Sequence, residues 1–422
     1  MYFIKKKIRQ NSIKFFKYII NKQPDFSIFV YLISKLYPFN RFSAVYKLKY
    51  FSTHTNYKKL INAKIGRNYD FKDIKTSKLN YVDKQLNGLG YLEIQDCNII
   101  AGAEFIFCKS VAFKQNYTLG SPINNFRLAN FNGSIDNNEF YMLSKKIKIA
   151  SKKLNKVIYL SGTYDENWYH WLIEILPKLF IIKEKIKKFD DYDIVISENI
   201  YHSSTHMQSL KLFASKNNII SINPKYFYRT KHVIFVESPS ISNRARKKIF
   251  THDMLDGNFY QQIFKVFRQY IKNKLLINNN KHDNERVYLF RNQNKRKFNQ
   301  HAVIELLKKF NFKIVDLMKL KFDEQVLLFH NSKIIIGVTG AAWTNLIFCQ
   351  KNTKGLLFCP NSVKGSTTFT NLASLSGMSL YQQNLKIPED NWQSYMKSDK
   401  EALVDIKLLE QNLKKIISSN DY

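Results

Sequence analysis

From about residue 154 to residue 360, short apolar runs alternate with longer amphipathic ones, and no other feature restricts the fold of this chain as strongly. "KVIYLSG", "YDIVIS" (192–197), "NIISI" and "HVIFV" (232–236) are too short for helices and apolar enough to be strands buried on both faces. Between the first three stand helical runs, "LFIIKEKIKKF" and "THMQSLKLFASKN". A turn-rich break at "SPSISNRARKKIF" and a long helix expected over 257–275 come next. A second series then begins, with "RVYLFR", "FKIVDL", "KIIIGV" and "KGLLFC" as strands and "HAVIELLKKF", "FDEQVLLFHNS" and "AAWTNLIF" as helices. Strand and helix in rotation give a parallel sheet covered by helices. Two successive α/β units with a cleft between them are therefore expected.

The flanks of this pattern suggest the domain plan. Residues 1–80 are basic, aromatic and helix-prone. Residues 81–165 turn strand-like, as in "NIIAGAEFIFCKSVAF", and introduce an N-terminal α/β domain over 81–243. A C-terminal α/β domain over 244–422 ends in "EALVDIKLLEQNLKKII". That tail puts Ala402, Ile406, Leu409, Leu413 and Ile416 on one helix face, able to dock on a neighbouring domain.

Charge adds a hint about partners. The net charge is +34, and residues 1–80 hold 18 Lys and Arg against 3 acidic residues, interleaved with Phe and Tyr. Such a segment suits an anionic membrane surface. It suits a nucleic acid on charge alone, but no zinc-finger spacing, RNP-like strand or heptads follow it, so no nucleic acid is expected as partner. A merely solvated face is the plain alternative. The longest apolar run, "FSIFVYLI" (26–33), falls far short of the roughly 18 residues a span needs. No cleaved signal peptide is evident. Cys97, Cys108, Cys349 and Cys359 have neither CxxC spacing nor a His cluster, which fits a reduced, cytoplasmic compartment without structural zinc. The Asn-x-Ser/Thr matches at Asn116 and Asn132 are then chance.

Three stretches carry chemistry. In "NWYHWLIEILPKL" (167–179), Asn167 is a plausible helix cap, His170 and Glu174 are four apart on one face, and Pro177 kinks the helix. Trp168 and Trp171 beside them are either core or a stacking wall. In "KIIIGVTGAAWTN" (333–345), an apolar strand runs through Gly337, Thr339 and Gly340 into a helix. Small residues and free amides at a helix start favour an anion. "LFRNQNKRKFN" places Arg291, Lys295 and Arg296 after another strand of the same unit, and cations converging on that crevice describe a diphosphate site. There is no Walker sequence and no GxGxxG, so ATPase and Rossmann dehydrogenase readings fall away.

These motifs, in this order and spacing over roughly residues 165 to 385, resemble glycosyltransferase family 61, the capsular polysaccharide biosynthesis type. The resemblance implies a GT-B-like fold, two facing Rossmann-like domains with a catalytic cleft between them. It also implies a nucleotide-sugar donor held mostly by the C-terminal domain, inversion at the anomeric carbon, and no required metal or other cofactor. The family's Asn-Tyr-Tyr-His-Trp pattern is met by Asn167, Trp168, Tyr169, His170 and Trp171. Glu174 stands for a frequent Asp, Phe290-Arg291 for Ser-Arg, and Glu324-Gln325 match a Glu-Gln pair. Thr339 stands where many relatives have His. Thr can donate to a phosphate oxygen but cannot carry a proton or a positive charge.

On that basis His170 or Glu174 is the expected base, alone or as a carboxylate-oriented His. Asn167, Trp168 and Trp171 would meet the acceptor. Arg291, Lys295, Arg296, Glu324, Gln325, Thr339, Gly340, Ala341 and Asn345 would line the donor site, a UDP-sugar being the expected donor. The expected function is a cytoplasmic transferase, peripheral at the inner membrane face, that extends a surface glycan or lipid-linked glycan. The alternatives are a catalytically inert scaffold of the same fold, suggested by Thr339 and Phe290, and a basic nucleic-acid-binding protein.

Overall fold

The computed structural model describes residues 44–418 apart from short internal stretches, of which 115–126, 243–256 and 278–284 are the longest. Residues 1–43, Lys295 and Asn116 lie outside the described residues.

The alternating region builds two sheets. In the first, β1 (Leu89–Ile99) and β2 (Phe105–Cys108) are antiparallel neighbours. Four parallel strands continue from β1: β3 (Leu154–Tyr159), β4 (Asp193–Ser197), β5 (Ile219–Ile222) and β6 (Tyr226–Val236). Their spatial order is β5-β4-β3-β6, with β1 antiparallel on the outer side of β6. The chain thus winds from β3 to β5 in one direction and returns to the other side of β3. The winding reverses at the carboxyl end of β3, the place where sheets of this kind bind ligands.

The second sheet is simpler. β7 (Glu285–Leu289), β8 (Lys313–Val315), β9 (Ser332–Val338), β10 (Lys354–Cys359) and β11 (Ser379–Lys386) are all parallel, in the order β8-β7-β9-β10-β11. The winding reverses between β7 and β9, which gives a second crevice. β9 and β10 are buried almost throughout, as their unbroken apolar runs require. Gly337 lets β9 approach β7, since a Cβ there would lie 3.1 Å from that of Leu289.

The helices follow from spacing. The long helix Gln261–Lys274 buries Phe264, Phe267 and Ile271, three and four residues apart. Gly257–Phe259, expected as its first turn, is a strand paired with Ser240–Ser242. The tail helix, Ile406–Ser418, buries Leu409, Leu413 and Ile416. It packs on the helix Gln300–Lys309, and its Ile416 carbonyl accepts from Lys354 Nζ at 3.0 Å on β10. It docks on its own sheet, not on a neighbouring domain, because that face completes the cover of the second sheet.

The basic N-terminal segment differs from its helix-prone reading. Ala44–Tyr50, Tyr57–Ile61 and Lys64–Tyr69 are strands. The first pairs with Val111–Lys114 and Glu139–Ser144, the second with β1. Pairing partners far along the chain override local propensity here. One apolar cluster spans both sheets, running from Ile158 and Leu160 to Ile335 and Leu356. Among the described residues no helix is long and apolar enough to cross a membrane.

Gly90 shows how tightly the segment is fitted. A Cβ there would meet the Tyr57 ring and sit 2.6 Å from the Lys58 carbonyl, while the Gly90 N–H donates to Glu237 Oε2 at 2.8 Å. Gly90→Ala should push the Tyr57–Ile61 strand off β1 and cost about 1–3 kcal/mol. Urea unfolding with limited proteolysis checks this; wild-type stability and protection would refute it.

Candidate active site

The carboxyl end of β3 leads into a short polar loop. The Ser161 hydroxyl donates to Asp165 Oδ2 at 2.7 Å and accepts from the Gly102 N–H at 2.9 Å. The buried Lys178 ammonium donates to the Ser161 carbonyl at 3.5 Å, and the buried Glu104 carboxylate accepts from the Thr163 N–H at 3.4 Å. Burial raises the Asp165 carboxyl to about 7. Sequence reasoning passed over this network, because Ser161, Asp165 and Lys178 become neighbours only when the loop closes on the helix.

Asn167 starts the helix as its spacing suggested, its side chain accepting from the Tyr169 N–H at 3.0 Å. The next turn is wide. His170–Ile175 is a π-helical segment in which the Leu176 N–H reaches back to the Trp171 carbonyl. Pro177, with no N–H to give, follows at the start of the helix Leu176–Lys183. Such wide turns are frequent at functional sites. Here the turn carries His170, whose Nδ1 lies 2.8 Å from Glu174 Oε2. The Glu174 side chain is 6 % exposed and that of His170 18 %, so the His is the member reached from outside. The ring of Tyr164 lies 5.7 Å from that of His170.

The two Trp residues part ways. Trp171 is fully buried, its Nε1–H donating to Ser209 Oγ at 2.8 Å. It has no face to offer a sugar, which corrects its reading as an acceptor residue. Trp168 is half-buried, and its Nε1–H donates to Asn345 Oδ1 at 2.9 Å. Asn345 Nδ2 donates to Gln325 Oε1 at 3.0 Å, and Gln325 Nε2 to the Leu317 carbonyl at 2.9 Å. Asn345 and Gln325, expected at the donor, are thus buried braces between the two sheets. Glu324 is exposed and caps its own helix, accepting from the Lys321 N–H at 2.7 Å, which likewise turns it from the crevice.

The crevice of the second sheet holds the cations. Arg291 follows β7 and donates from Nη1 to the Thr339 carbonyl, at the end of β9, at 3.3 Å. Gly340 leaves room for it, since a Cβ there would lie 3.0 Å from Nη1. The Gln300 amide grips the Arg291 backbone on both sides, at 3.3 and 3.0 Å. Arg296, with a left-handed φ of 58°, presents its guanidinium 6.0 Å from the Trp392 ring. Burial lowers it to about 10, with Arg291 adding repulsion and Tyr395 countering. Arg291 is also lowered by burial. Among the described residues neither guanidinium has a carboxylate at ion-pair distance. Two desolvated cations side by side without a counter-charge are stabilised by an anion. Ala341–Phe348 beyond Gly340 is a 3-10 helix, and Thr339 and Ala341 sit half-buried at its entrance. Trp392 and Tyr395 lie about a hundred residues downstream of Arg296, so their part in the crevice was invisible in the local sequence.

The fold is α/β, with a histidine–carboxylate pair following the first sheet and two half-buried guanidiniums following the second. Residues 168–356 match the family described as Glycosyltransferase 61. That match supports a glycosyltransferase. No curated protein matches the chain. Among the described residues no three His, Cys, Asp or Glu side chains are grouped to hold a metal ion.

Two outcomes test this geometry. Between the ordinary carboxyl value near ~4 and about 7, folded Asp165 holds a proton that the unfolded chain has lost. Its contribution therefore favours the fold at low pH and is lost as pH rises through about 7. Asp165→Asn cannot titrate, so wild type should lose roughly 2–4 °C of Tm relative to the variant between pH 5 and pH 8; parallel profiles would contradict the burial. Trp168→Phe keeps the ring but strips buried Asn345 of its donor, and should cost about 1–3 kcal/mol in denaturant unfolding. A neutral result would mean that the bond is not formed.

Proposed function

We propose that this glycosyltransferase moves a sugar, with inversion, from a nucleoside-diphosphate donor, a UDP-sugar foremost, to a surface-glycan acceptor. The pair of half-buried, unneutralised guanidiniums after β7 carries this reading. Arg291 and Arg296, with the amides of Gly340 and Ala341, would take the diphosphate and stabilise it as it leaves. Thr339 would add a hydroxyl. The two crevices would face one another as in a GT-B arrangement, with the domain boundary near residues 243–244.

His170 would be the base. With Nδ1–H given to Glu174, the lone pair lies on Nε2, and the carboxylate stabilises the imidazolium that forms on taking the acceptor proton. The buried Glu174 would orient the ring, leaving the half-exposed Trp168 edge and Asn167 on the acceptor side. The bond from Trp168 to Asn345 supports a common frame for base and donor turn. It lies two residues before His170 and five beyond Gly340.

A cytoplasmic position at an anionic membrane surface would follow from residues 1–43, which hold nine Lys and Arg and one acidic residue. Co-sedimentation with phosphatidylserine vesicles, lost on deleting that segment, would support it; equal sedimentation of both forms would not.

The deciding experiment is a thermal-shift series with UDP, GDP, CMP and their sugars. One nucleotide should raise the midpoint by mass action, and Arg291→Ala should abolish that shift. His170→Ala should keep the shift and lower turnover of the matching sugar nucleotide about 10²–10⁴-fold. No shift with any nucleotide would overturn the donor reading. A shift with no turnover in wild type would turn it into the inert-scaffold alternative.

A further inference from the structure

Away from the crevices, β1 and β2 bring two thiols together. Asn98 pairs with Phe107, and one step outward along these antiparallel strands Cys97 stands opposite Cys108. The neighbouring Cys97 sulfur, together with burial, raises the Cys108 thiol above its ordinary range. Cys97 is 3 % exposed and also contacts Thr230 Oγ1 at 3.2 Å, whereas Cys108 is partly exposed. Directly opposed residues of an antiparallel pair have Cα atoms about 4.5–5.5 Å apart, within the span a disulfide bridges. The other two cysteines differ. Cys349 and Cys359 are both buried, so neither presents a sulfur to solvent as Cys108 does.

We propose that Cys97 and Cys108 are an oxidative modification site that closes to a reversible disulfide on exposure to a small aliphatic disulfide. One sulfur loses its proton to solvent and attacks the reagent, breaking its S–S bond and releasing one thiol in a mixed disulfide. The second sulfur, also deprotonated, attacks the first and displaces the other half of the reagent. Two protein thiols are oxidised, the reagent is reduced to two thiols, and the chain loses two hydrogens.

The bond would sit at the base of the hairpin whose tip supports the loop before His170. The Ile100 and Ala103 carbonyls of that tip accept from the Tyr159 hydroxyl. The Gly102 N–H meets Ser161, and Glu104 meets Thr163. The site does not depend on the transferase reading, and its test needs no donor.

The full chain would be incubated with oxidised glutathione, alkylated under native conditions, and mapped by non-reducing peptide mass spectrometry. The expected product is one linkage between the Cys97 and Cys108 peptides, reversed by dithiothreitol. Cys349 and Cys359 should alkylate only after denaturation. Cys97→Ser should instead leave a lasting glutathione adduct on Cys108, which keeps the test informative without the pair. A lasting adduct on wild-type Cys108, or both thiols recovered free, would overturn the proposal.

Discussion

The hydrogen bond from the Trp168 indole to Asn345 is the contact on which the rest of the arrangement depends. It joins a helix following the first sheet to the 3-10 helix following the second. Asn345 is fully buried and commits its amide to Gln325, which in turn holds the loop after β8. A buried amide with every group engaged tolerates little displacement, because each lost partner exposes an unsatisfied polar atom to a low-dielectric interior. The position of the wide turn at His170 is thereby tied to the Gly340 turn through rigid, polar links.

Around that link the charges are sorted by sheet. Carboxylates gather under the first crevice, where Glu104, Asp165 and Glu174 are buried with a single buried lysine, Lys178. Guanidiniums gather at the second, where Arg291 and Arg296 are drawn from water without acidic partners. Each set is costly alone. The backbone absorbs part of the cost on one side, through the Thr163 amide on Glu104 and the Gly162 amide on Asp165. On the other, Gln300 and the Thr339 carbonyl hold Arg291 in place although neither neutralises it.

Much of this was legible before any coordinates, for physical reasons. Strands buried on both faces must be short and apolar, so β4, β9 and β10 announced themselves. Helix faces repeat every three or four residues, so the His170–Glu174 contact could be read from spacing alone. Pro177 pointed to a disturbed turn, although a π-helical segment rather than a simple kink was the outcome. Burial was not legible. Trp168 and Trp171 have the same local pattern, yet one bonds across the sheets and the other fills the core beside Ser209. Gln325 and Asn345 were equally ambiguous, since a side-chain amide serves a ligand or a brace with the same atoms. Residues 44–69 misled for a related reason, as their strand partners lie up to a hundred residues away and leave no local trace.

The shared core has a consequence for how the protein is made. Trp168 and its acceptor are 177 residues apart in the chain. At synthesis rates of about 5–20 residues per second, the indole therefore emerges on the order of ten to thirty seconds before Asn345 exists. Throughout that interval the apolar flank destined for the second sheet has no sheet to cover it. The N-terminal half cannot reach its final packing during translation, however complete its own strands are.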